Sequence, residues 1–335
     1  MSLRDRSVLV TGGAGFIGSH LVDRLITESP RKIVVVDNFF LGSESNLLDA
    51  RSAYPDLEVL RLDASDLASM QDVVVTHEIE TVFDLAVVPL PTSLDYPHWT
   101  MLTNIGITAT FCEIARRGLI ERLVHMSSSE AYGSGRYMPM DEAHPDDAIT
   151  PYAASKAAED HIIRSYVQTF GIDATVVRPF NNYGPRQNPR YITGTIITQA
   201  LEREQIELGN LEPLRDFCFC TDGVRGHLMV AAHGIPGDLY VYGQGENISM
   251  QHWAEKIIEI GEADGHWPAG RRLASVAHRF RPGASDVLAL RVGYEKLKRE
   301  TGWEPKVSWE EGISRTIAWY AANRERWLGR IDWLR

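Results

Sequence analysis

Short apolar runs alternate with amphipathic stretches through the first half of the chain. The run Ile33–Val36 is β-branched throughout, as buried strands often are, whereas Leu21, Val22, Leu25 and Ile26 repeat at the spacing of one helix face. The pattern predicts six strands, over Ser7–Val10, Lys32–Asp37, Leu57–Asp63, Thr81–Ala86, Arg122–Ser127 and Ala174–Arg178. It predicts helices after the first strand, over Met101–Arg117 and over Tyr152–Phe170, the last two ended by Gly118 and Gly171. Repeated strand–helix units of this kind predict an α/β fold, a Rossmann-type doubly wound parallel sheet with helices on both faces.

The pattern becomes irregular after Pro179. Asn, Gly and Pro cluster in Asn181–Pro189, and Trp residues concentrate near the C-terminus. We predict a first domain over 1–178, rejoined by about 224–250, and a smaller α/β substrate-binding domain mainly over 179–335. Ligands of open α/β sheets bind at the carboxyl ends of the strands, so the site is expected at that edge.

Composition narrows the class of protein. The 335 residues are 44% apolar and 24% charged, as in ordinary globular proteins, and the net charge of −11 disfavours nucleic acid and anionic membranes as partners. No apolar run is long enough to span a membrane, and no signal peptide is apparent, so a cytoplasmic protein is expected. Cys112, Cys218 and Cys220 are too few for a disulfide framework, and no metal site is predicted. Cys218 and Cys220 alternate with phenylalanines, as core positions of a strand do.

A glycine cluster follows the first strand. Thr11–Gly18 reads Thr-Gly-Gly-Ala-Gly-Phe-Ile-Gly and opens the first helix. Gly12 allows a tight turn, Gly15 lets a pyrophosphate approach the backbone, and Gly18 permits close packing, while the helix N-terminus offers N–H donors. The cluster predicts a dinucleotide site; a tight turn without a ligand is the alternative.

Two carboxylates follow the next strands. Asp37 closes the second strand, where it can accept hydrogen bonds from both hydroxyls of an adenosine ribose and would repel a 2′-phosphate. This favours NAD over NADP. Asp63, at the tip of the third strand, is expected near the adenine. Solvated residues at strand ends are the alternative for both.

Tyr152 and Lys156 lie four residues apart, on one face of the long helix. An ammonium lowers the pKa of a nearby phenol, so the Tyr can accept a hydroxyl proton while hydride leaves for nicotinamide. Tyr294 and Lys298 repeat the spacing, in a predicted solvated surface helix. Position favours the first pair, because the preceding strand ends in serines that can hydrogen-bond the reacting hydroxyl. A plain loop is the alternative for those serines.

Together these motifs resemble an extended short-chain dehydrogenase/reductase, within the nucleotide-sugar epimerase/dehydratase group. The resemblance includes Ser127–Gly133, which reads Ser-Ser-Ser-Glu-Ala-Tyr-Gly. It extends to Arg178–Arg186, Gly209–Phe217 and Arg281–Gly283, which resemble substrate-domain motifs of that group.

The resemblance implies a tightly bound NAD, resting as NAD⁺ because it is regenerated in each turnover. The implied cofactor residues are Gly12, Gly15, Phe16, Ile17, Gly18, Asp37, Asn38, Asp63, Ala64, Leu85, Ala86, Asn104, Tyr152 and Lys156. The implied catalytic residues are Ser128, Ser129, Glu130, Tyr152 and Lys156. Ser128 would bind the sugar O4, Tyr152 would be the base, and Lys156 would support it. Asn181, Arg215 and Arg281 would hold the diphosphate of a nucleotide sugar, a UDP-sugar being favoured. A homodimer through the two long helices is also implied. Alternatively, Arg215 pairs with a carboxylate and Asn181 serves a turn.

Glu130 bears on the reaction that follows. Members of the group oxidise C4 of the sugar to a ketone, which acidifies the C5 proton, and a carboxylate at Glu130 can remove it. A nucleotide-sugar 4,6-dehydratase is therefore expected. The dTDP-glucose dehydratases carry Thr-Asp-Glu where this chain has Ser128, Ser129 and Glu130, and Ser129 is too weak an acid to replace the Asp. The Ser-Glu pair resembles GDP-mannose and UDP-N-acetylglucosamine 4,6-dehydratases, in which Glu130 would act as both base and acid. The alternatives are a 4-epimerase, a uronate decarboxylase and an NAD-binding sensor.

One segment departs from the group's pattern. Asp84 stands where that pattern has His, and Val87 and Pro89-Leu90-Pro91 follow. An atypical sugar specificity is expected from this segment. The sequence offers no physical reason for an aspartate at position 84.

Overall fold

The computed structural model describes residues 3–281 and 286–330, and a parallel sheet of seven strands lies at its centre. The strands of the described residues are β1 (Ser7–Thr11), β2 (Lys32–Val36), β3 (Glu58–Leu60), β4 (Thr81–Asp84), β5 (Arg122–Met126), β6 (Ala174–Pro179), β7 (Asn181–Tyr183), β8 (Gln205–Leu208), β9 (Leu214–Arg215), β10 (Phe217–Phe219), β11 (Leu239–Tyr242), β12 (Ile248–Ser249) and β13 (Arg272–Ser275). The central sheet has the order β11–β6–β5–β4–β1–β2–β3, with every pair parallel. The six predicted strands all form, and the predicted α/β fold is confirmed.

Helices cover both faces of this sheet. The α-helices of the described residues are α1 (Phe16–Ile26), α2 (Leu48–Ala53), α3 (Leu67–Thr76), α4 (Leu90–Asp95), α5 (Pro97–Arg116), α6 (Pro151–Phe170), α7 (Ile192–Glu202), α8 (Cys220–His233), α9 (Met250–Ala263), α10 (Glu295–Thr301), α11 (Trp309–Ala322) and α12 (Arg324–Trp327). Successive strand residues point to opposite faces, so Val8 and Val10 join the core formed with α1 and α8, while Leu9 joins the core formed with α3, α5 and α6. In the described part of the chain, no helix is both long and apolar enough to cross a membrane.

The residues after β6 supply three small sheets and the seventh central strand. β7 pairs with β10 and β8 with β13, both parallel, whereas β9 and β12 are antiparallel. β11 returns to the central sheet beside β6. The two halves of the chain therefore share the central sheet.

Several predicted boundaries are wrong. β3 covers only Glu58–Leu60, at the edge of the sheet, where strand pairing is available on one side alone. α5 begins at Pro97, four residues before the predicted start, because proline suits the first turn of a helix. The strand around Cys218 ends at Phe219, and Cys220 already begins α8, although both thiols are fully buried as predicted.

The second Tyr–Lys pair is only partly on the surface. Lys298 is exposed and binds Glu304, but the ring of Tyr294 packs edge-on against Trp303, with 5.4 Å between the ring centroids. The expectation of a fully solvated pair was therefore wrong for Tyr294, since a phenol ring buries more apolar surface than an ammonium side chain.

Candidate active site

A cavity of about 600 Å³ opens at the carboxyl edge of the central sheet. Its walls come from the segments that follow β1, β2, β4, β5 and β6, and from residues of the second half of the chain. Of the cofactor residues implied by the sequence, it is lined by Gly12, Gly15, Phe16, Ile17, Gly18, Asp37, Asn38, Asp63, Ala64, Leu85, Ala86 and Tyr152. This is the edge at which the strand pattern predicts a ligand.

The glycine turn after β1 has no room for side chains. Gly12 has a φ of +63°, and a Cβ there would lie 3.0 Å from the backbone of Ala86. A Cβ on Gly18 would collide with the carbonyl oxygen of Gly12, so α1 packs directly on the turn. Among the described residues, no side chain caps α1 at Gly15, and its first turn has no acidic residue. The free N–H groups and the positive end of the helix dipole suit the pyrophosphate of a dinucleotide.

Asp37 lies beside this turn and is almost fully buried. Its Oδ2 accepts a hydrogen bond from the N–H of Ala14 at 3.0 Å, and its Oδ1 accepts one from the N–H of Phe39 at 2.7 Å. Burial raises the pKa of Asp37 above its ordinary value, while the two N–H groups oppose the rise. A Cβ on Gly42 would meet the carboxylate, so Gly42 keeps this side of the cavity open. A buried carboxylate with remaining lone pairs fits the two hydroxyls of an adenosine ribose.

Asn38 and Asp63 are exposed residues on the cavity rim. The Asn38 Oδ1 accepts from the N–H of Phe40 at 2.9 Å. The Asp63 Oδ1 accepts from both the N–H and the hydroxyl of Ser65, at 2.9 and 2.8 Å. Each side chain thus stabilises its own turn, and its remaining polar atoms face the cavity.

Three expected site residues do not reach the cavity wall. Asn104 is buried, and its amide binds both backbone groups of Val88. Ser129 is also buried, because the 3-10 turn over Ser129–Tyr132 directs its neighbours Ser128 and Glu130 to the cavity instead. Lys156 lies beneath the wall, 1% exposed. Asn104 and Ser129 therefore do not line the cavity, their contact with a ligand stays a prediction, and Lys156 lies behind the wall that includes Tyr152.

Tyr152 lies in the first turn of α6, which is fixed by its N-cap. The Thr150 hydroxyl accepts from the N–H of Ala153 at 3.1 Å, and Pro151 occupies the first helical position. The Ser128 side chain lies beside the phenol, where it favours the ionised form, and both residues line the cavity. Burial raises the pKa of Tyr152, and Lys156 and Ser128 oppose that rise without reversing it. Lys156 therefore acts on the phenol in the direction expected from the spacing, but burial outweighs its effect.

Glu130 faces the same cavity from the end of β5. Its Oε2 is buried and accepts no hydrogen bond from the residues that the structure describes. The carboxylate interacts electrostatically with both Tyr152 and Arg215, so it lies near the phenol and near the guanidinium. A buried carboxylate oxygen with an unused lone pair is a suitable proton acceptor.

Asn181, Arg215 and Arg281 also line the cavity. Arg215 Nη2 lies 3.4 Å from an oxygen of Asp286, and Arg281 Nη1 lies 4.0 Å from the same oxygen. The pairing of Arg215 with a carboxylate, an alternative from the sequence, is thus present. The Oδ1 of Asn181 is buried without a hydrogen-bond donor among the described residues. The motif after Arg281 continues into Pro282 and Gly283, which lie outside those residues.

The cavity has further walls that the motifs do not indicate. One wall, the apolar wall, consists of Val87, Val88, Pro89, Leu90, Pro91 and Leu94. Arg190 and Tyr191 form part of another, and Tyr191 lies close enough to interact electrostatically with Tyr152. The departure at Pro89–Pro91 was the sequence signal for the apolar wall, whereas Tyr191 follows no recognisable motif.

The chain is similar to several known proteins. The family model described as GDP-mannose 4,6 dehydratase matches residues 9–316. The dTDP-glucose 4,6-dehydratase of Actinoplanes sp. is 33% identical over 327 residues, which cover 96% of this chain and 99% of that protein. The solved dTDP-glucose 4,6-dehydratase of Streptomyces venezuelae, with NAD bound, has a TM-score of 0.88 at 29% identity, covering 97% of this chain and 100% of that one. The solved UDP-glucose 4-epimerase of Thermotoga maritima, with UDP-glucose, has a TM-score of 0.85 at 28% identity, covering 95% and 99%.

Proposed function

The chain belongs to the family described as GDP-mannose 4,6 dehydratase, among the NAD-dependent sugar epimerases and dehydratases of the extended short-chain dehydrogenase/reductases, and we propose that it is a nucleotide-sugar 4,6-dehydratase. It is an NAD-dependent enzyme of nucleotide sugars. The observation that carries the proposal is the carboxylate of Glu130, which lines the cavity with Oε2 buried and without a partner in the described residues. An enzyme that only returns hydride to C4 has no need of a base at this place.

The residues around the glycine turn fit NAD. The N–H groups of the first turn of α1 would hold the pyrophosphate, and Asp37 would hold the adenosine ribose. Leu85 and Ala86 would line the nicotinamide end of the cavity. When bound, NAD supplies an acceptor and later a donor of hydride.

Tyr152 would remove the proton from the sugar O4 hydroxyl as C4 becomes a ketone. Ser128 would hydrogen-bond the same oxygen, since its side chain already lies beside the phenol. The ammonium of Lys156 would stabilise the phenolate that forms during this transfer.

Glu130 would then remove the C5 proton, which the C4 ketone has made acidic. The electron pair released at C5 forms the C5–C6 double bond as the C6 hydroxyl leaves. Glu130 would pass its proton to that leaving hydroxyl, so that one water is lost and the carboxylate is restored. Ser129 lies outside the cavity, which leaves this acid role to Glu130 as well. Return of hydride to C6 and uptake of a proton at C5 from solvent complete the 4-keto-6-deoxy sugar, and release to solvent of the O4 proton that Tyr152 accepted restores the balance of protons.

Asn181, Arg215 and Arg281 would bind the substrate diphosphate. Guanidinium groups suit a diphosphate because they donate paired hydrogen bonds and carry a fixed charge. Asp286 would hold the two arginines in place, as its contacts with both suggest. The preference for a uridine nucleotide stays a prediction.

The apolar wall supports an acetamido sugar as the substrate. Both backbone groups of Val88 are already taken by Asn104, so this residue has neither N–H nor carbonyl free for a sugar hydroxyl. α4, which contains Leu90 and Leu94, packs against α6, the helix of Tyr152. A methyl group of an N-acetyl substituent would bury apolar surface here, whereas a hydroxyl would lose its hydration.

The domain division and the dimer also remain proposals. We assign residues 1–178 with about 224–250 to the NAD-binding domain, and most of 179–335 to the substrate domain. The long helices α5 and α6 pack against each other, and Leu102 and Phe170 on them are 59% and 52% exposed. Burial of these side chains against a second copy would support the predicted homodimer.

A nucleotide-sugar 4-epimerase is the second candidate. The observation that favours it is the place of Ser129, which offers neither a carboxylate nor access to the cavity. If Glu130 cannot act as both base and acid, C4 oxidation would be followed by rotation and reduction of the ketone.

The variant Glu130→Gln tests the proposal. We expect it to bind NAD and sugar normally but to lose dehydration by about a hundredfold or more, because the C5 proton no longer has an acceptor. In deuterated water, the wild type should place deuterium at C5 of the product. Glu259→Gln is the control, since this exposed carboxylate of α9 lies outside the cavity wall. Unchanged dehydration by Glu130→Gln would reject the role of Glu130.

A further inference from the structure

Four ionisable side chains form a continuous buried chain beneath Tyr152. The Lys156 Nζ donates to Oε2 of Glu159 at 2.7 Å, and His125 Nε2 lies 3.2 Å from the same oxygen. His125 Nδ1 lies 2.9 Å from Oδ2 of Asp84. Each of these side chains is at most 2% exposed. We refer to Asp84, His125, Glu159 and Lys156 as the buried quartet.

The topology of the sheet brings the quartet together. Asp84 and His125 are register partners on the adjacent strands β4 and β5, and Lys156 and Glu159 lie one turn apart on α6. The other oxygen of Asp84 accepts from the Thr11 hydroxyl at 2.8 Å. That hydroxyl oxygen in turn accepts from the N–H groups of Leu85 and Ala86, both at 3.0 Å. Asp84 therefore fixes the start of a cavity wall and anchors His125, which supplies the physical reason for an aspartate here.

The charges of the quartet balance. A lone charge buried to this depth is strongly destabilising, whereas two carboxylates and two cations in contact compensate one another. Burial alone would lower the pKa of His125, but Asp84 and Glu159 raise it to about 9. Burial alone would raise the pKa of Glu159, but Lys156 and His125 lower it. His125 and Lys156 are thus protonated, and Glu159 is ionised, near neutral pH.

We propose that Glu159, supported by His125 and Asp84, is a positioning residue that holds the Lys156 ammonium and limits how strongly it favours ionisation of Tyr152. The proposal rests on the proposed function only as far as C4 oxidation by the Tyr152–Lys156 pair, a step that dehydratases and epimerases share.

Two contacts fix the ammonium. Besides Glu159, the Lys156 Nζ donates to the carbonyl of Met126 at 2.9 Å, so one of its three N–H groups remains. Glu159 also acts on Tyr152 directly, because its negative charge raises the pKa of the phenol that Lys156 lowers. Removal of the Glu159 charge should therefore allow Lys156 to lower the pKa of Tyr152 further.

The groups that face the quartet from other elements do not change this balance. Cys112 on α5 has a pKa raised to about 12 by burial and by Asp84, so the thiol is neutral. His227 on α8 has a pKa lowered to about 4 by burial, so its imidazole is neutral above that pH. Thr108 on α5 donates to Glu159 at 3.3 Å without a charge, and Asp160, next along α6, is paired with Arg178. Glu130 acts on Tyr152 from the cavity side.

The pH dependence of kcat/KM in Glu159→Gln and His125→Gln tests the proposal. In Glu159→Gln, His125 should lose its proton at a lower pH than in the wild type. The carboxylate of Asp84 and the ammonium of Lys156 then remain, and together they carry no net charge. The acid limb, where Tyr152 must lose its proton, should move to lower pH by about one to two units. In His125→Gln, the imidazolium no longer balances the carboxylates of Asp84 and Glu159, so the acid limb should move to higher pH. Glu255→Gln, which alters a partly exposed carboxylate of α9, should leave the acid limb unchanged.

The protonation state of His125 can be followed by its resonance, without turnover, alongside the kinetics. In histidine-labelled protein, the His125 resonance, identified by its loss in His125→Gln, should stay that of an imidazolium to about pH 9 in the wild type. It should become neutral at lower pH in Glu159→Gln. If Glu159→Gln does not fold, Glu159→Asp keeps the charge but withdraws it from Lys156. This variant should lose kcat without moving the limb.

The outcomes separate the two claims. Acid limbs that shift in opposite directions in Glu159→Gln and His125→Gln support the proposal. Acid limbs at the wild-type pH, with activity reduced at every pH, would overturn it. A shifted acid limb in Glu159→Asp would overturn it as well. Failure of the proposed function would appear instead in the identity of the product, which neither the limb nor the His125 resonance depends on.

Discussion

Asn104 holds Val88 by both of its backbone groups. Its Oδ1 accepts from the Val88 N–H at 2.8 Å, and its Nδ2 donates to the Val88 carbonyl at 3.1 Å. The same Nδ2 donates to the hydroxyl of Ser155 on α6 at 3.0 Å. One buried amide thereby ties the apolar wall to the helix of Tyr152.

The variant Asn104→Leu should destabilise the protein by about 2–5 kcal/mol, because it leaves buried backbone groups without partners. It should also raise KM for the sugar more than it lowers kcat, since Tyr152 and Lys156 are untouched. Urea unfolding and steady-state kinetics measure the two effects. Gln251→Leu on the exposed face of α9 is the control. Normal stability in Asn104→Leu would contradict this role.

Gly18 and Gly106 are both helical glycines, but only one contacts the turn after β1. A Cβ on Gly18 would collide with Gly12, whereas a Cβ on Gly106 would lie at an ordinary 3.5 Å from Ser65. Gly18→Ala should therefore displace α1 and abolish measurable NAD binding. Gly106→Ala should bind NAD normally and gain up to about 1 kcal/mol from helix propensity. Calorimetric titration with NAD compares them, and equal affinities would refute the close-packing account of Gly18.

Asp37 is expected to select NAD over NADP. Asp37→Asn keeps an acceptor for one backbone N–H but loses the charge, so NAD should bind about tenfold more weakly or worse. The affinity for NADP should rise relative to the affinity for NAD, because the repulsion of the 2′-phosphate of NADP is removed. Asp56→Asn, at an exposed position, is the control. A variant with the wild-type ratio of NAD to NADP affinity would show that Asp37 does not face the ribose.

His125 makes the stability of the protein depend on pH. Its pKa in the folded protein is raised to about 9 from an ordinary 6.5, so the stabilisation is complete below pH 6.5 and is lost as pH rises through 9. The free energy of unfolding should fall across this interval by a few kcal/mol more in the wild type than in His125→Gln. Urea unfolding at matched pH values measures the difference. Parallel pH curves for the two proteins would mean that His125 is not charged in the folded state.

The sequence predicts the sheet and the cavity well, because β-branched runs and glycine turns are local signals. Asp37, Glu130 and Tyr152 all follow or open such elements, and all three line the cavity. Asn104 and Ser129 were assigned to the cavity by motif, but the direction of a side chain depends on packing that motifs do not encode. Glu159 and His125 carried no signal, since their partnership arises only when β5 and α6 pack together.

The central claim concerns what happens to the sugar after C4 is oxidised. Purified enzyme with NAD should be incubated in turn with UDP-N-acetylglucosamine, UDP-glucose, UDP-glucuronate, dTDP-glucose and GDP-mannose, and the nucleotide products analysed by mass spectrometry. We expect loss of one water, fastest from UDP-N-acetylglucosamine because of the apolar wall, and none from Glu130→Gln. A faster loss of water from dTDP-glucose would keep the dehydratase and reject the acetamido sugar. An isomer of unchanged mass, or loss of carbon dioxide, would contradict the 4,6-dehydratase itself.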